Sequence, residues 1–218
     1  MTHILTKEKY INDPCGTCST AYWKNAYFQK LHSVSIIHEK ELPLIDQNAY
    51  KITKYFRLLH TFERTMPYRL DDKYYFQTVD VETQTEIASD LINRCYDDIG
   101  ASPEQVYEWT QYPVFDNDLW VFIYEKETAA PVALGIADFD CEIKEGSLEW
   151  IQVLPEKRGL GLGQALVYEL LQRLKHKAVF VTVSGQIDNN TNPESLYRKC
   201  GFTGDDVWCV LQQQYLTR

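Results

Sequence analysis

The sequence predicts a mixed α/β domain, and three observations carry that prediction. From about residue 74 onward, segments of alternating or continuous apolar character take turns with segments whose apolar residues recur at helical spacing. The order that results is strand, two helices, three strands, helix, strand, helix, strand. The composition, 44% apolar and 24% charged over 218 residues, is that of a chain that buries a core.

Tyr74 to Val79 alternates weakly and reads as a strand. Ile87, Ala88, Leu91, Ile92 and Cys95 follow at helical spacing, with Gly100 as a stop beyond them. Ser102-Pro103-Glu104-Gln105 is a compact helix start, in which Ser102 can cap, Pro103 takes the first helical position and Gln105 completes a capping-box spacing. Leu119 to Tyr124 and Val132 to Asp138 read as two strands of a hairpin, and Leu148 to Leu154 as a third. Gly163 to Leu174 is the clearest helix, with Ala165, Leu166, Val167, Leu170, Leu171 and Leu174 on its apolar side. Ala178 to Val183 is a buried-type strand. Asn192-Pro193 opens a short helix that Gly201 ends, and Val207 to Gln212 is a last strand. Before residue 73 the pattern is harder to read. Strand and helix both stay open over residues 49–62, and residues 1–72 are taken as an N-terminal extension packed on a main domain of 73–218.

Charge and composition exclude several classes. A net charge of −9 gives nucleic acid no basic face to bind. No stretch approaches the roughly 18 apolar residues of a membrane helix, and the first residues show neither an apolar core nor a cleavage site. A cytoplasmic protein without nucleic-acid or membrane partners is the expectation, with a homodimer left open. Cys15 and Cys18 form a C-x-x-C pair, with His32 and His38 at distances a zinc finger tolerates. The aromatic mass of Tyr22, Trp23, Tyr27 and Phe28 and the strand-like run around His38 argue against a finger, and no metal is expected.

Chemistry concentrates in Val153-Leu154-Pro155-Glu156-Lys157-Arg158-Gly159-Leu160-Gly161-Leu162-Gly163, which joins a strand to the long amphipathic helix. Glycines let backbone N–H groups approach a ligand, and the helix start offers unsatisfied donors, a site for phosphate. A P-loop would need Lys-Ser/Thr where Gln164-Ala165 stands, and a dinucleotide turn would need a different glycine spacing and an acid after the next strand. The segment instead resembles motif A of the GCN5-related N-acetyltransferase (GNAT) superfamily, Arg/Gln-x-x-Gly-x-Gly/Ala, through Arg158, Gly161 and Gly163. Asn190, Tyr197 and Gly201-Phe202 are similar to the superfamily's later motif, and the resemblance covers roughly residues 74 to 212. Pro193 departs from the family's usual small residue.

That resemblance implies a mostly antiparallel central sheet flanked by helices, and acetyl-CoA or a related acyl-CoA as donor. It implies that the pyrophosphate sits on the amides of Arg158, Gly159, Leu160, Gly161, Leu162 and Gly163. The pantetheine arm would lie along Ile151, Gln152 and Val153, between two splayed strands and near Asn190 and Tyr197. The Val153 amide would hold the thioester carbonyl and its oxyanion. Tyr197 matches the tyrosine that protonates the departing sulfur. Glu149, four residues before Val153 and so on the same face, is the candidate base, with Asp138 and Asp140 behind it. Cys200 has no histidine near in sequence, which favours direct transfer in a ternary complex over an acyl-cysteine. The acceptor, a small-molecule or peptide amine, would meet the aromatics Tyr107, Trp109, Tyr112 and Phe115 and the acids Asp116, Asp118 and Asp138. The alternative is a non-catalytic acyl-CoA-binding regulatory module of the same fold.

Overall fold

The computed structural model describes residues 5–27, 35–63, 68–96, 99–189 and 191–213. Among them, eight strands form one sheet: β1 (Ser35–His38), β2 (Tyr50–His60), β3 (Tyr74–Thr78), β4 (Trp120–Glu125), β5 (Ala130–Asp140), β6 (Glu145–Val153), β7 (Phe180–Gln186) and β8 (Thr203–Gln213). Their order is β1-β8-β2-β7-β6-β5-β4-β3. Only β6 and β7 run parallel; every other neighbouring pair is antiparallel. The mixed α/β architecture and the mostly antiparallel sheet are therefore as expected. The helices are α1 (Lys7–Asn12), α2 (Tyr22–Tyr27), α3 (Thr85–Cys95), α4 (Pro103–Trp109), α5 (Leu162–Leu174) and α6 (Pro193–Lys199).

Strand β4 is apolar along nearly its whole length because both faces of the sheet are covered there. Along β4, Trp120 and Phe122 join one buried cluster with Leu91 and Ile92 of α3. Val121, with Leu119 just before the strand, joins the other, with Leu170 and Leu171 of α5. That is the two-residue period of a strand with both faces packed. Helix α5 lies close on the sheet: a Cβ added to Gly146 would come within 2.7 Å of Leu174 Cδ1. At α4 the capping box forms as read, with Gln105 N–H donating to Ser102 Oγ at 3.3 Å and Ser102 N–H to Gln105 Oε1 at 2.8 Å.

Two differences from the expected elements have a shared cause. The stretch left open between strand and helix is β2, which lies in the middle of the sheet and pairs with β7 on one side and β8 on the other. Strand β6 begins at Glu145, three residues before the apolar run starts. In both strands a charged residue stands at an interior position and masks the alternation. Arg57 of β2 and Glu145 of β6 are 2% and 1% exposed, and their charges meet at 3.6 Å.

That pair anchors the N-terminal segment. Tyr10 of α1 donates its hydroxyl to Glu145 Oε1 at 2.6 Å and accepts from Arg57 Nη2 at 2.7 Å. Thr182 Oγ1 donates to the same carboxylate at 2.6 Å. Arg57 Nε reaches the Pro14 carbonyl at 3.2 Å, and the Tyr22 backbone N–H donates to Glu145 Oε2 at 3.1 Å. A network with this many partners satisfies charges that burial alone would make costly. It fixes the start of α2 over β6 and β7.

Candidate functional site

The parallel pairing of β6 with β7 is short. It runs from Glu145↔Phe180 to Leu148↔Val183 and stops. Beyond that point β6 stays with β5 as far as Val153, while β7 stays with β2 as far as Gln186. The two strands diverge, and a cleft of about 760 Å³ opens at the divergence. Ile151, Gln152, Val153, Arg158, Gly159, Gly161, Leu162, Gly163 and Tyr197 all line it. The structure thus gathers these sequence-predicted residues around one cavity. Leu160 does not line it and is exposed, and Asn190 lies outside the described residues. Asn192 caps α6 through its side chain, accepting from Ser195 N–H at 3.3 Å.

The glycine loop meets α5 in the left-handed region. Gly159 has φ +80° and Gly161 +79°, which glycine adopts without the Cβ penalty. Gly161 is the N-cap of α5 and offers no side chain to the helix start. The first N–H groups of the helix therefore lack an intrahelical acceptor and face the cleft end of the loop, as an anion site requires. A Cβ on Gly161 would stand 3.0 Å from the Tyr68 hydroxyl, which donates to the Gly161 carbonyl at 3.0 Å. The Arg158 guanidinium is tied to two backbone carbonyls, Val153 at 3.2 Å and Cys95 at 3.0 Å. It locks the end of β6 to the end of α3 and leaves further N–H donors at the exposed mouth. Gln152 is 2% exposed, and neither its amide nitrogen nor its amide oxygen has a hydrogen-bond partner among the described residues.

Glu149 is placed by an irregularity. In the β5–β6 ladder Ile136 faces Trp150 and Ala137 faces Leu148, so Glu149 is the extra residue of a β-bulge. Neighbours on a regular strand point to opposite faces, yet Glu149 and Trp150 line the same second pocket, of about 290 Å³. Even spacing from Val153 does not set the direction of Glu149; the bulge does. Trp23, Trp109, Tyr112, Trp120 and Trp150 wall this pocket, and Asp138, Glu149 and Lys24 give it charge. Trp109 and Trp150 stack at 5.3 Å with their planes 16° apart. Glu149 accepts from Ser147 Oγ at 2.8 Å and forms an ion pair with Lys24 of α2. Lys24 Nζ lies 5.6 Å from the centroid of the Trp23 ring.

Burial sets the proton affinities here. It pushes the Asp138 carboxyl well above the usual range, with the neighbouring Glu149 charge adding to the rise. Burial pulls the Lys24 ammonium down, but Glu149 more than offsets it, and Lys24 ends above a free lysine. Tyr197, 7% exposed and packed against Phe56 and Phe202, is also raised by burial. A phenol near pKa 10 is already a weaker acid than a thiol near 8.5, and burial widens that gap, so transfer to a thiolate of ordinary basicity runs uphill. Burial keeps the phenol protonated. The Cys200 thiol is pushed up to about 12 by burial, far from a nucleophile's range.

Other sequence candidates go elsewhere. Tyr107 is exposed, and Phe115 packs edge-on against Trp120 in the core. Asp116 pairs with Lys177 at 2.6 Å, and Asp140 accepts from Glu142 N–H at 2.9 Å in the β5–β6 turn. Cys15 and Cys18 are buried free thiols, and His38 bonds Asp206 at 3.1 Å. His32 lies outside the described residues, and no group of three or more metal-binding side chains occurs among those described. Sequence reasoning missed Trp23, Lys24, Trp120 and Trp150. The last two look like ordinary strand residues, and nothing in the sequence places α2 beside β6.

Residues 116–204 match the family model for an acetyltransferase (GNAT) domain. No curated protein matches the chain. Among solved structures, a GCN5-related N-acetyltransferase from Sphaerobacter thermophilus superposes with a TM-score of 0.72 at 17% identity, over 83% of this chain and 58% of that one. An acetyltransferase of the GNAT family from Colwellia psychrerythraea gives 0.60 at 14%, over 83% and 65%. The ribosomal-protein-S18-alanine N-acetyltransferase of Escherichia coli gives 0.50 at 16%, over 66% and 98%. The chain therefore spans less than two thirds of the length of the first two, and at these identities the likeness is one of fold. The splayed strands and the glycine loop both lie within the segment, residues 116–204, that is similar to an acetyltransferase (GNAT) domain.

Proposed function

We propose that the chain transfers an acetyl or other short acyl group from acetyl-CoA to a primary amine, by direct attack within a ternary complex. The observation that carries this reading is the meeting of two cavities on one strand. Residues 151–153 of β6 line the long cleft, and residues 149–150 line the acidic aromatic pocket. A donor and an acceptor bound in these two spaces would face each other across the bulge.

The residues divide the work accordingly. The amides at the start of α5 and the loop glycines hold the pyrophosphate, with the exposed edge of Arg158 beside it. The backbone edges of β6 and β7 left free beyond Leu148 and Val183 take the polar groups of the pantetheine arm. The Val153 N–H supports the thioester oxygen as charge develops there. Glu149 or Asp138 takes the acceptor's proton, and the raised affinity of Asp138 suits a base that must work near neutral pH. Tyr197 stays protonated and donates to the departing sulfur. The high proton affinity of Cys200 supports direct transfer over an acyl-cysteine.

The acceptor is a cationic small molecule or peptide amine, in keeping with the acidic, aromatic pocket and the net charge of −9. That charge also argues against a nucleic-acid partner, the free cysteines support a reducing compartment such as the cytoplasm, and no described helix is long and apolar enough to cross a membrane. One observation favours a second reading, a module that binds acyl-CoA without turnover: Lys24 already neutralises Glu149. Calorimetric titration with acetyl-CoA, beside the Gly161→Asp, Gly163→Asp double variant, tests the cleft, and an amine screen with Tyr197→Phe tests the chemistry. Binding that the double variant loses, with turnover that falls about a hundredfold in Tyr197→Phe at unchanged affinity, is the expected result. Binding without turnover of any amine would select the module instead.

A further inference from the structure

We propose that Lys24 is an internal acceptor, acylated in cis by the acyl-CoA held in the neighbouring cleft. The inference rests on the reading of the site as an N-acyltransferase and adds a modification site to it. Lys24 presents what that reaction consumes, a primary amine on an alkyl stem, inside the pocket where an acceptor would bind. Its Nζ is ion-paired with Glu149, the candidate base, and lies against the Trp23 ring. The two paired side chains are 27% and 18% exposed, so the contact is largely shielded.

The placement is built into the fold. Helix α2 starts where the Tyr22 N–H meets Glu145, next to the buried Tyr10–Arg57–Glu145 network. Lys24 follows two residues later, so the anchored segment delivers it to β6. As a wall for an aromatic pocket, an apolar side chain would serve without the desolvation cost of a shielded ion pair. Glu149 lies four residues of strand, roughly 13 Å, from Val153, whose amide is assigned the thioester oxygen, so the Lys24 side chain swings along β6 toward the cleft to transfer. Any acceptor that Glu149 deprotonates spans the same distance, and the Lys24 nitrogen is already on Glu149.

The step balances. The Lys24 ammonium gives one proton to Glu149, which passes it to water. The Nζ lone pair forms the N–C bond to the thioester carbonyl, and the C–S bond breaks with its electron pair on sulfur. The second proton passes from nitrogen to Glu149 once the first has left to water, Tyr197 gives its phenolic proton to sulfur, and the proton on Glu149 returns through water to restore the phenol. The products are an Nε-acyl-lysine and free CoA thiol. The acylated side chain is neutral, so Glu149 loses its cation and the pocket becomes anionic beside Asp138, ready for a cationic acceptor.

The test incubates the purified full-length chain with acetyl-CoA and no amine, and follows intact mass and then peptide maps. Acetyl-CoA binding is measured by calorimetry on the same sample, with Tyr197→Phe and Lys24→Arg run in parallel. Lys9 and Lys51, both exposed, report uncatalysed acetylation. The expected result is one acetyl group on Lys24 well before either control lysine, slowed about a hundredfold in Tyr197→Phe and absent at position 24 in Lys24→Arg. Acetyl-CoA binding with Lys24 unmodified, or modified no faster than Lys9 and Lys51, would overturn the proposal and leave the acyltransferase reading standing. Absence of acetyl-CoA binding would overturn both.

Discussion

Replacing Arg57 with Met tests whether the buried network holds the acceptor-side segment in place. Arg57 donates to Pro14, Ser184, Tyr10 and Thr182 at 2.7 to 3.3 Å, and its guanidinium faces Glu145 at 3.6 Å. Methionine fills much of the volume but removes the cation and every donor. Glu145 keeps its bonds from Tyr10, Thr182 and the Tyr22 amide, yet becomes an uncompensated charge at 1% exposure. Removing one partner of such a pair costs about 4 kcal/mol. For a chain of this length that lowers Tm by roughly 8–16 °C.

The sign with pH is also fixed. Burial already raises Glu145 against the pull of Arg57, and without Arg57 it rises further. A carboxyl whose folded affinity is raised loses its contribution as pH climbs through the folded value. The deficit of Arg57→Met is therefore larger at pH 8 than at pH 5. Thermal unfolding followed by circular dichroism at both pH values measures it. Adding Glu145→Leu should recover most of the loss, because neither charge is then stranded. A single variant within about 1 kcal/mol of wild type, or a double variant no better than the single, would refute the argument that the pair is interdependent.

Two further outcomes follow from the site. Gly161→Ala forces a left-handed φ on a Cβ-bearing residue and sets that carbon 3.0 Å from the Tyr68 hydroxyl, so acetyl-CoA affinity measured by calorimetry should fall about tenfold, in line with the roughly 1–2 kcal/mol cost of that conformation. Asp138→Asn removes a carboxyl whose folded affinity is raised; wild type is penalised as pH rises through that value, so the variant should have the higher Tm at pH 8 and lose the advantage below about pH 4, where the unfolded carboxyl is protonated too. A lower Tm for Asp138→Asn at pH 8 would show that the Asp138 charge is stabilised and not merely buried.

The sequence by itself determined the elements whose signal is local. A capping box needs Ser102 and Gln105 three residues apart, α5 needs apolar residues at helical spacing, and the loop needs glycine where φ is positive. Each of these depends on neighbours along the chain, so each could be read before folding. The tertiary structure decided what depends on partners far apart. Arg57 and Glu145 disguise two strands because each is charged alone and satisfied only when 88 residues of chain bring them together. The bulge that aims Glu149 is a mismatch between two strands and has no trace in either one. Lys24 enters the pocket only because α2 is pinned over β6, and that pinning is a property of the assembled network. Periodicity records which side of an element faces the core; which side chains then meet is settled only when the elements pack.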